Sequence, residues 1–263
     1  TSSGEILADV VLKAPEGSEV ITPTTTIMKE ANLSKEEVNT VLGLPSNVDP
    51  TTFNPFASDA DPELALQVEK VAQQVMTTVK SIASAVEGSG GDVASAFEVA
   101  IESVVEVVKE KAQAVQQGAS VAEVAIDFSN TEDLAEITTK ATEVMVENSV
   151  GSTEKFDSIS ENVVAAVSNV NTKIEEVTDI TSDESKAAFA IGSELNDQIK
   201  TAAEADESSP VVIEFADESA VDAAQEDKVQ EIVEKKEEED KADDSATDDS
   251  ATDDSATDDS ATD

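Results

Sequence analysis

Apolar residues recur at alternating steps of three and four along residues 61–206, which is the spacing of one face of an α-helix. One such stripe consists of Leu64, Val68, Val71, Val75, Val79, Ile82 and Val86. Further stripes fall within residues 97–115, 134–145, 159–177 and 189–199. Because short Gly/Ser turns separate the stripes, we expect the helices to bury these faces against one another in a single bundle.

Local signals indicate where several helices begin. Asp61-Pro62-Glu63 combines a capping residue, a proline at the first helical position and an acid in the first turn. The capping-box pattern, a serine followed three residues later by glutamate, begins at Ser34, Ser120 and Ser129. We also predict a last bundle helix over about residues 183–204, before the break at Pro210.

Residues 18–60 differ from the helical part because they are rich in proline. We predict a collar with one short helix, which opens at Ser34 and stops near Gly43. The threonine run before Ile27 is compatible with extended chain or with a short helix. Phe53 and Phe56 are expected to plug one end of the bundle.

Two short Val/Ile-rich segments outside the helices, 5–12 and 211–215, are predicted to be strands that could pair with each other. Between residues 217 and 241 the apolar set is weak, which favours an isolated and marginally stable helix. Residues 243–263 repeat DDSAT and cannot bury enough apolar surface to fold. We predict that they form a disordered linker.

The predicted architecture is therefore mainly α-helical: a bundle of about five or six helices with a Pro-rich N-terminal collar, minor β segments and a disordered acidic tail. We predict a possible β element or the end of a preceding domain over residues 1–17, the collar over 18–60 and the bundle over 61–206. An acidic segment with a possible strand and a marginal helix follows over 207–241, and the linker covers 242–263.

The charge of the chain restricts its partners. The formal net charge is −43, all 16 basic residues are lysines, and there is no Arg, His, Cys, Trp or Tyr. Binding to a nucleic acid needs cations that displace the counterions of the phosphates, so no nucleic-acid partner is expected. No apolar run approaches the roughly 18 residues of a membrane span, so membrane insertion is not expected either.

The same charge would repel itself in dilute salt, and dissolved ions would relieve that repulsion. We therefore expect a salty or calcium-rich exterior, which means a secreted or cell-surface location in a bacterium. The chain begins at Thr1 without a signal peptide and ends inside a repeat, which suggests a piece of a longer polypeptide.

The sequence offers few residues that could carry out catalysis. Without His or Cys, the most common general base and the thiol nucleophile are missing. Lys80 and Ser81 could form a Ser-Lys pair, but both are expected at ordinary exposed positions. We therefore predict that the protein is not an enzyme and has no catalytic residues.

Calcium is the one cofactor that the composition suggests. Asp49, Asp59 and Asp61, with nearby Asn47 and Asn54, offer oxygen ligands within the Pro-rich segment, although no calcium-loop spacing is met. Asn and Asp beside proline are also common turn formers, which is the competing interpretation. The paired Asp residues of the tail lack the glycine of a tight calcium loop and are expected to attract cations only diffusely.

Three stretches, LKAPEGSEVITPTTTI, LSKEEVNTVLGLPSNVDPTTFNPF and ELALQVEKVAQQV, resemble a helical module of large, repeat-containing, adhesin-like surface and secreted proteins of marine and aquatic bacteria. The resemblance covers about residues 10–86, and Thr24 stands where the module has an apolar residue. It implies a helical spacer or interaction domain and brings no catalytic residues.

We accordingly expect a non-enzymatic spacer or adhesion module, whose partners are other domains or copies of a surface protein. A calcium-responsive acidic binding module is one alternative. The other is a self-assembling subunit of an extracellular filament or layer, in which segments 5–12 and 211–215 pair between protomers. The sequence sets no oligomeric state.

Overall fold

The computed structural model describes residues 11–205 and 211–246, the last eight of them by their backbone alone. The described chain is mainly helical, as predicted, with nine α-helices, one 3-10 turn and no strand. Five long helices form the body: α3 (Pro62–Gly88), α4 (Val93–Gln116), α6 (Thr131–Asn148), α7 (Thr153–Glu176) and α8 (Asp183–Glu204). The smaller elements are α1 (Pro23–Ala31), α2 (Lys35–Val41), α5 (Val121–Val124), the 3-10 turn Glu214–Ala216 and α9 (Glu218–Ala246).

Helices α3, α4, α6 and α7 form a four-helix bundle in which each helix packs against the next and α7 closes back onto α3. Helix α8 lies outside this bundle, in the groove between α3 and α7. Its residues pair with α3 in parallel order, since Asn196 meets Ser81 and Lys200 meets Glu87 further along both helices. Helix α3 therefore has three long neighbours and is the centre of the fold.

Small aliphatic side chains fill the core. In α3, Val75, Val79 and Val86 are completely buried, as the stripe predicted. Each such side chain removes little area from water, so many close contacts replace a few large ones. The buried aromatic residues in the part of the chain that is described belong to the same core: Phe97, Phe128, Phe156, Phe189 and Phe215.

The predicted Pro-rich collar is wrong. Residues 18–60 contain two helices, α1 and α2, which pack along the flank formed by α3 and α4. Thr22 caps α1 and Pro23 occupies its first turn, so Thr-Pro starts a helix here rather than extended chain. Phe53 packs against the core, whereas Phe56 remains 57% exposed and plugs nothing.

The predicted minor strands are not found in the described residues. Residues 211–213 are irregular, and Phe215 lies in the 3-10 turn with its side chain buried. Of the other segment, residues 5–10 lie outside the described residues, and Val11 and Leu12 have no regular structure. Burial of Ile213 and Phe215 against the bundle replaces the strand pairing that their sequence favours.

Helix α9 is longer and less isolated than predicted. It packs against α8, the 3-10 turn and α7, and Val221 is fully buried in that contact. Its last turn, residues 242–246, extends into the segment that we expected to be disordered. The rest of that linker, residues 247–263, lies outside the described residues.

Helix starts follow the sequence signals at Asp61 and Ser34, which cap α3 and α2. The capping box expected at Ser129 is wrong, because Asn130 caps α6 and the Ser129 hydroxyl donates to Asp127. An asparagine at this position accepts from Glu132 and Asp133 N–H groups, the same task that the serine was expected to perform.

A buried polar cluster crosses the bundle at Asn171 of α7, a residue with no exposed surface. Its amide nitrogen donates to the Thr78 hydroxyl of α3 and to the Phe128 carbonyl. Gln74 of α3 donates to the Asn171 carbonyl oxygen. Since an unpaired buried polar group is costly, these bonds favour one register of α3 and α7 over shifted alternatives.

At the C-terminal end of α3, Gly88 lies directly against α8. A Cβ atom at this position would lie 2.6 Å from both the Ala203 Cβ and the Lys200 carbonyl oxygen. Gly192, in α8 at the same helix pair, has room instead, because a Cβ there would meet only the Thr77 hydroxyl at 3.6 Å.

These two glycines give a matched test of the α3–α8 packing. Gly88→Ala should lower the free energy of unfolding by about 1–3 kcal/mol, because a backbone carbonyl and a helix-bound Cβ cannot move aside easily. Gly192→Ala should leave it unchanged or raise it by up to about 1 kcal/mol, since alanine favours a helix. Chemical denaturation of both variants measures this, and equal effects of the two substitutions would contradict the packing described.

Candidate functional site

Of the three aspartates proposed as calcium ligands, Asp49 and Asp61 accept hydrogen bonds from residues close to them in the chain, and Asp59 is exposed. The Asp49 carboxylate accepts from the Thr51 N–H and hydroxyl groups and forms an ion pair with Lys35 at 3.2 Å. The hydrogen bonds from Thr51, with a smaller contribution from Lys35, lower the pKa of Asp49. This carboxylate stabilises a turn. Turn formation was the competing interpretation of Asp49 in its sequence context.

Asp61 uses its carboxylate to accept the N–H groups of Glu63 and Leu64 at the start of α3. Asp59 is exposed in the preceding turn. Across residues 11–205 and 211–246, no group of three or more carboxylates is arranged so that it could hold a metal ion. Calcium binding by these aspartates therefore stays a prediction.

The possible Ser-Lys pair was predicted to be exposed, and this prediction is wrong for Ser81. Ser81 has no exposed surface, and its hydroxyl donates to the Asn196 side chain of α8 at 3.2 Å. This hydroxyl therefore links α3 to α8 and lies inside the helix interface, away from solvent and from any substrate.

The charged groups that organise the surface are lysines that join two helices. Lys70 links α3 to α7, since its Nζ donates to the Glu175 carbonyl oxygen and lies 3.6 Å from the carboxylate. Lys200 links α8 to α3 through Glu87 at 2.6 Å. The same arrangement recurs at other helix pairs, where the bridging residues are Lys111, Lys140, Lys173 and Lys236.

Lys140 is the most highly connected of these bridges. It extends from α6 to Glu110 of α4 at 3.1 Å and Glu106 at 4.0 Å, and it also pairs with Glu143 one turn away at 2.7 Å. The hydrogen bonds that Lys140 donates to Glu143 and Glu110 raise its pKa well above the usual range of lysine. The ammonium group thus remains charged throughout the neutral range and neutralises part of a dense carboxylate patch.

Lys111 and Lys173 form comparable bridges in less exposed positions. Burial disfavours the charged form of Lys111, but the hydrogen bonds that it donates to Glu136 and Asp133 of α6 outweigh this effect and raise its pKa. The pKa of Lys173 is raised chiefly by its hydrogen bond to Asp222 of α9. Sequence reasoning missed these bridges, although the scarcity of cations was a signal that each lysine would sit among several acids.

A groove of about 530 Å³ lies beside Lys140, between α6 and α7. Its walls are mainly hydroxyl and carboxylate groups, and the Thr142 hydroxyl donates to Asp157 across it at 2.8 Å. Val146, 64% exposed, supplies an apolar edge. The residues lining it are Thr138, Thr139, Thr142, Glu143, Val146, Glu147, Asp157 and Ser160.

This groove can attract cations and offer hydrogen bonds, but its lining contains no lysine and no activated nucleophile. Its chemistry is that of an anionic, hydroxyl-rich surface. The sequence did not single it out, because its residues are spread over two helices whose pairing is a tertiary property.

Comparisons with known proteins give no assignment. No protein-family model, no curated protein and no solved structure matches this chain. The resemblance to an adhesin-like module therefore stays a prediction from the sequence. None of the helices in the described part of the chain combines the length and the apolar character needed to cross a membrane.

The Lys140 bridge is tested by Lys140→Met, which keeps the helix propensity and the apolar stem but removes the charge. We expect the free energy of unfolding to fall by about 1 kcal/mol or less near 0.1 M NaCl, because the Lys140 partners Glu110 and Glu143 are largely exposed to solvent. The loss should shrink near 1 M NaCl, where the Debye length is about 3 Å.

Lys155→Met is the matched control, since Lys155 is exposed and forms no ion pair within the described residues. Both variants change the net charge equally. A loss at Lys155→Met as large as at Lys140→Met would mean that total charge, rather than the bridge, is responsible.

Proposed function

We propose that this protein is a non-enzymatic structural module of a secreted or cell-surface bacterial protein, in which it acts as a spacer or as an adhesion domain. The observation that carries the proposal is the way the helices use their surfaces. Their apolar faces are buried against one another, and their scarce lysines join neighbouring helices, so both kinds of residue contribute to internal cohesion.

Two further observations support a structural role. The Ser81 hydroxyl, the nucleophile that the sequence offered, is buried in a helix interface. The surface groove between α6 and α7 presents carboxylates and hydroxyls and has no lysine in its lining. A body of this kind suits the extracellular setting that its charge favours, because salt screens its self-repulsion there.

A replacement experiment distinguishes a spacer from an adhesion domain. In the bacterium that carries the gene, residues 61–205 are exchanged for an unrelated helical bundle of matched length, and attachment of cells to surfaces is measured. A spacer predicts that attachment is retained, whereas an adhesion domain predicts that it is lost while the protein is still displayed.

Display is measured in the same strains with an epitope inserted after Gly118, in the exposed turn that follows α4. The epitope should be labelled on intact cells or found in the medium. Labelling only after lysis would contradict the proposed location, and unchanged attachment after deletion of the whole segment would contradict both roles.

A calcium-responsive module is the second candidate function. The observation that favours it is the α6–α7 groove, where Glu143, Glu147 and Asp157 share a lining with four hydroxyl groups. These carboxylates do not form a ready-made metal site, so the groove would gather calcium loosely. Calcium prefers such oxygen ligands, and extracellular modules bind it in the range of about 10⁻⁴–10⁻³ M.

Thermal unfolding in millimolar CaCl₂, against NaCl of the same ionic strength, tests this candidate. A calcium-responsive groove predicts a higher midpoint in CaCl₂, which Glu147→Gln with Asp157→Asn should abolish. Glu98→Gln with Asp197→Asn removes two exposed charges outside the groove and should keep the response. Equal midpoints in the two salts would eliminate the calcium role.

A further inference from the structure

Helix α9 differs from every other long helix in how it is held. Over Glu218–Ala246 it carries 12 acidic residues and four lysines, a denser negative charge than any bundle helix has. It nevertheless packs against α8, which begins with Asp183 and Glu184. A strongly acidic helix thus lies on an acidic surface.

The full burial of apolar side chains in α9 is confined to its first two turns. Val221 is fully buried, and Ala220 and Ala224 pack against the core. Lys173 of α7 secures the same turns through Asp222 at 2.8 Å. This end of α9 is therefore anchored by burial and by a partly buried ion pair.

Further along, the attachment is polar and weak. Gln225 reaches the Glu184 carbonyl at 3.4 Å, and Lys236 pairs with Asp183, whose pKa it lowers by its hydrogen bond. Val229 and Ile232 extend the apolar contact but are only half-buried, and Val233 is 40% exposed.

A gap of about 330 Å³ separates α9 from α8 and the 3-10 turn. Four carboxylates line it, from Glu194 of α8, Glu214 of the turn, and Asp227 and Glu231 of α9. One lysine, Lys228, shares this lining, and its Nζ bonds to Glu231 of its own helix. Carboxylates from both sides thus face one gap, and repulsion between them opposes docking.

We propose that α9 is an ionic-strength-dependent strap: its first two turns stay anchored, and the rest docks on α8 in salt and swings away in dilute solution. At about 0.01 M salt the Debye length is about 30 Å, so the whole acidic bundle repels α9. At about 0.15 M it is about 8 Å, which removes the long-range repulsion but leaves the adjacent Lys236–Asp183 pair in place. Docking therefore rises with ionic strength, although its visible ion pair alone would suggest the reverse. This inference does not depend on the proposed function.

The absence of cysteine makes the strap directly measurable, because two introduced cysteines can be labelled without background. Ser193→Cys in α8 with Gln230→Cys in α9 reports the docked region, and both sites are exposed and uncharged. Ser193→Cys with Ala223→Cys reports the anchored turns. Single-molecule energy transfer is recorded from about 0.01 M to about 0.5 M NaCl, a range in which the Debye length changes severalfold.

We expect the distance from residue 193 to residue 230 to include a long-distance population in dilute salt that disappears at high salt. The distance from residue 193 to residue 223 should stay constant, and circular dichroism should show that the bundle remains folded. Identical distance distributions for the first pair at all salt concentrations would overturn the proposal, and so would release of both pairs together.

Two variants separate repulsion from attraction in the labelled protein. Glu194→Gln with Asp227→Asn removes one charge from each side of the gap and should keep α9 docked in dilute salt. Lys236→Gln should raise the ratio of released to docked molecules about two- to fivefold near 0.15 M salt, as expected for one surface ion pair. If the double variant releases α9 as readily as the parent, repulsion across the gap is not the cause.

Discussion

Repulsion among carboxylates is the constraint on which the rest of this structure depends. A chain with a net charge of −43 must hold its helices together with 16 lysines and no arginine. The fold meets this constraint by placing lysines between helices, so that the ammonium group of one helix pairs with acids of its neighbour. Lys140 and Lys111 do this between α4 and α6, and Lys70 and Lys200 do it around α3.

The interior is adapted to the same problem. Valine and alanine side chains allow helices to approach closely, and the approach is closest where Gly88 of α3 meets α8. Close approach brings the bridging lysines within reach of acids on the next helix. The Asn171 cluster then favours one register between α3 and α7, because its buried hydrogen bonds cannot be satisfied in another. Packing, register and surface charge therefore all help to hold the acidic helices together.

Where apolar packing ends, charge decides the structure. Helix α9 is fully buried at Val221 and more exposed beyond it, which is why we propose that dissolved ions control its docking. A structural module in a salty exterior would experience the docked state, whereas dilution would weaken it. Dissolved ions would also act on the α6–α7 groove, because cations would screen or bridge its carboxylates.

The sequence by itself determined the helical class, the body of five long helices and the starts of α2 and α3, because 3.6-residue periodicity and capping act over a few residues. It also offered two interpretations of Asp49, as a ligand or as a turn former, and its hydrogen bonds to Thr51 belong to the second. Only the tertiary structure decided that residues 18–60 flank the bundle, that residues 211–215 are not a strand, and that Ser81 is buried. Those outcomes depend on which surfaces meet, and so do the lysine bridges and the groove. Burial of Ile213 and Phe215 and the pairing of α3 with α8 bring together residues that lie far apart in the chain. A local sequence pattern contains no information about such contacts.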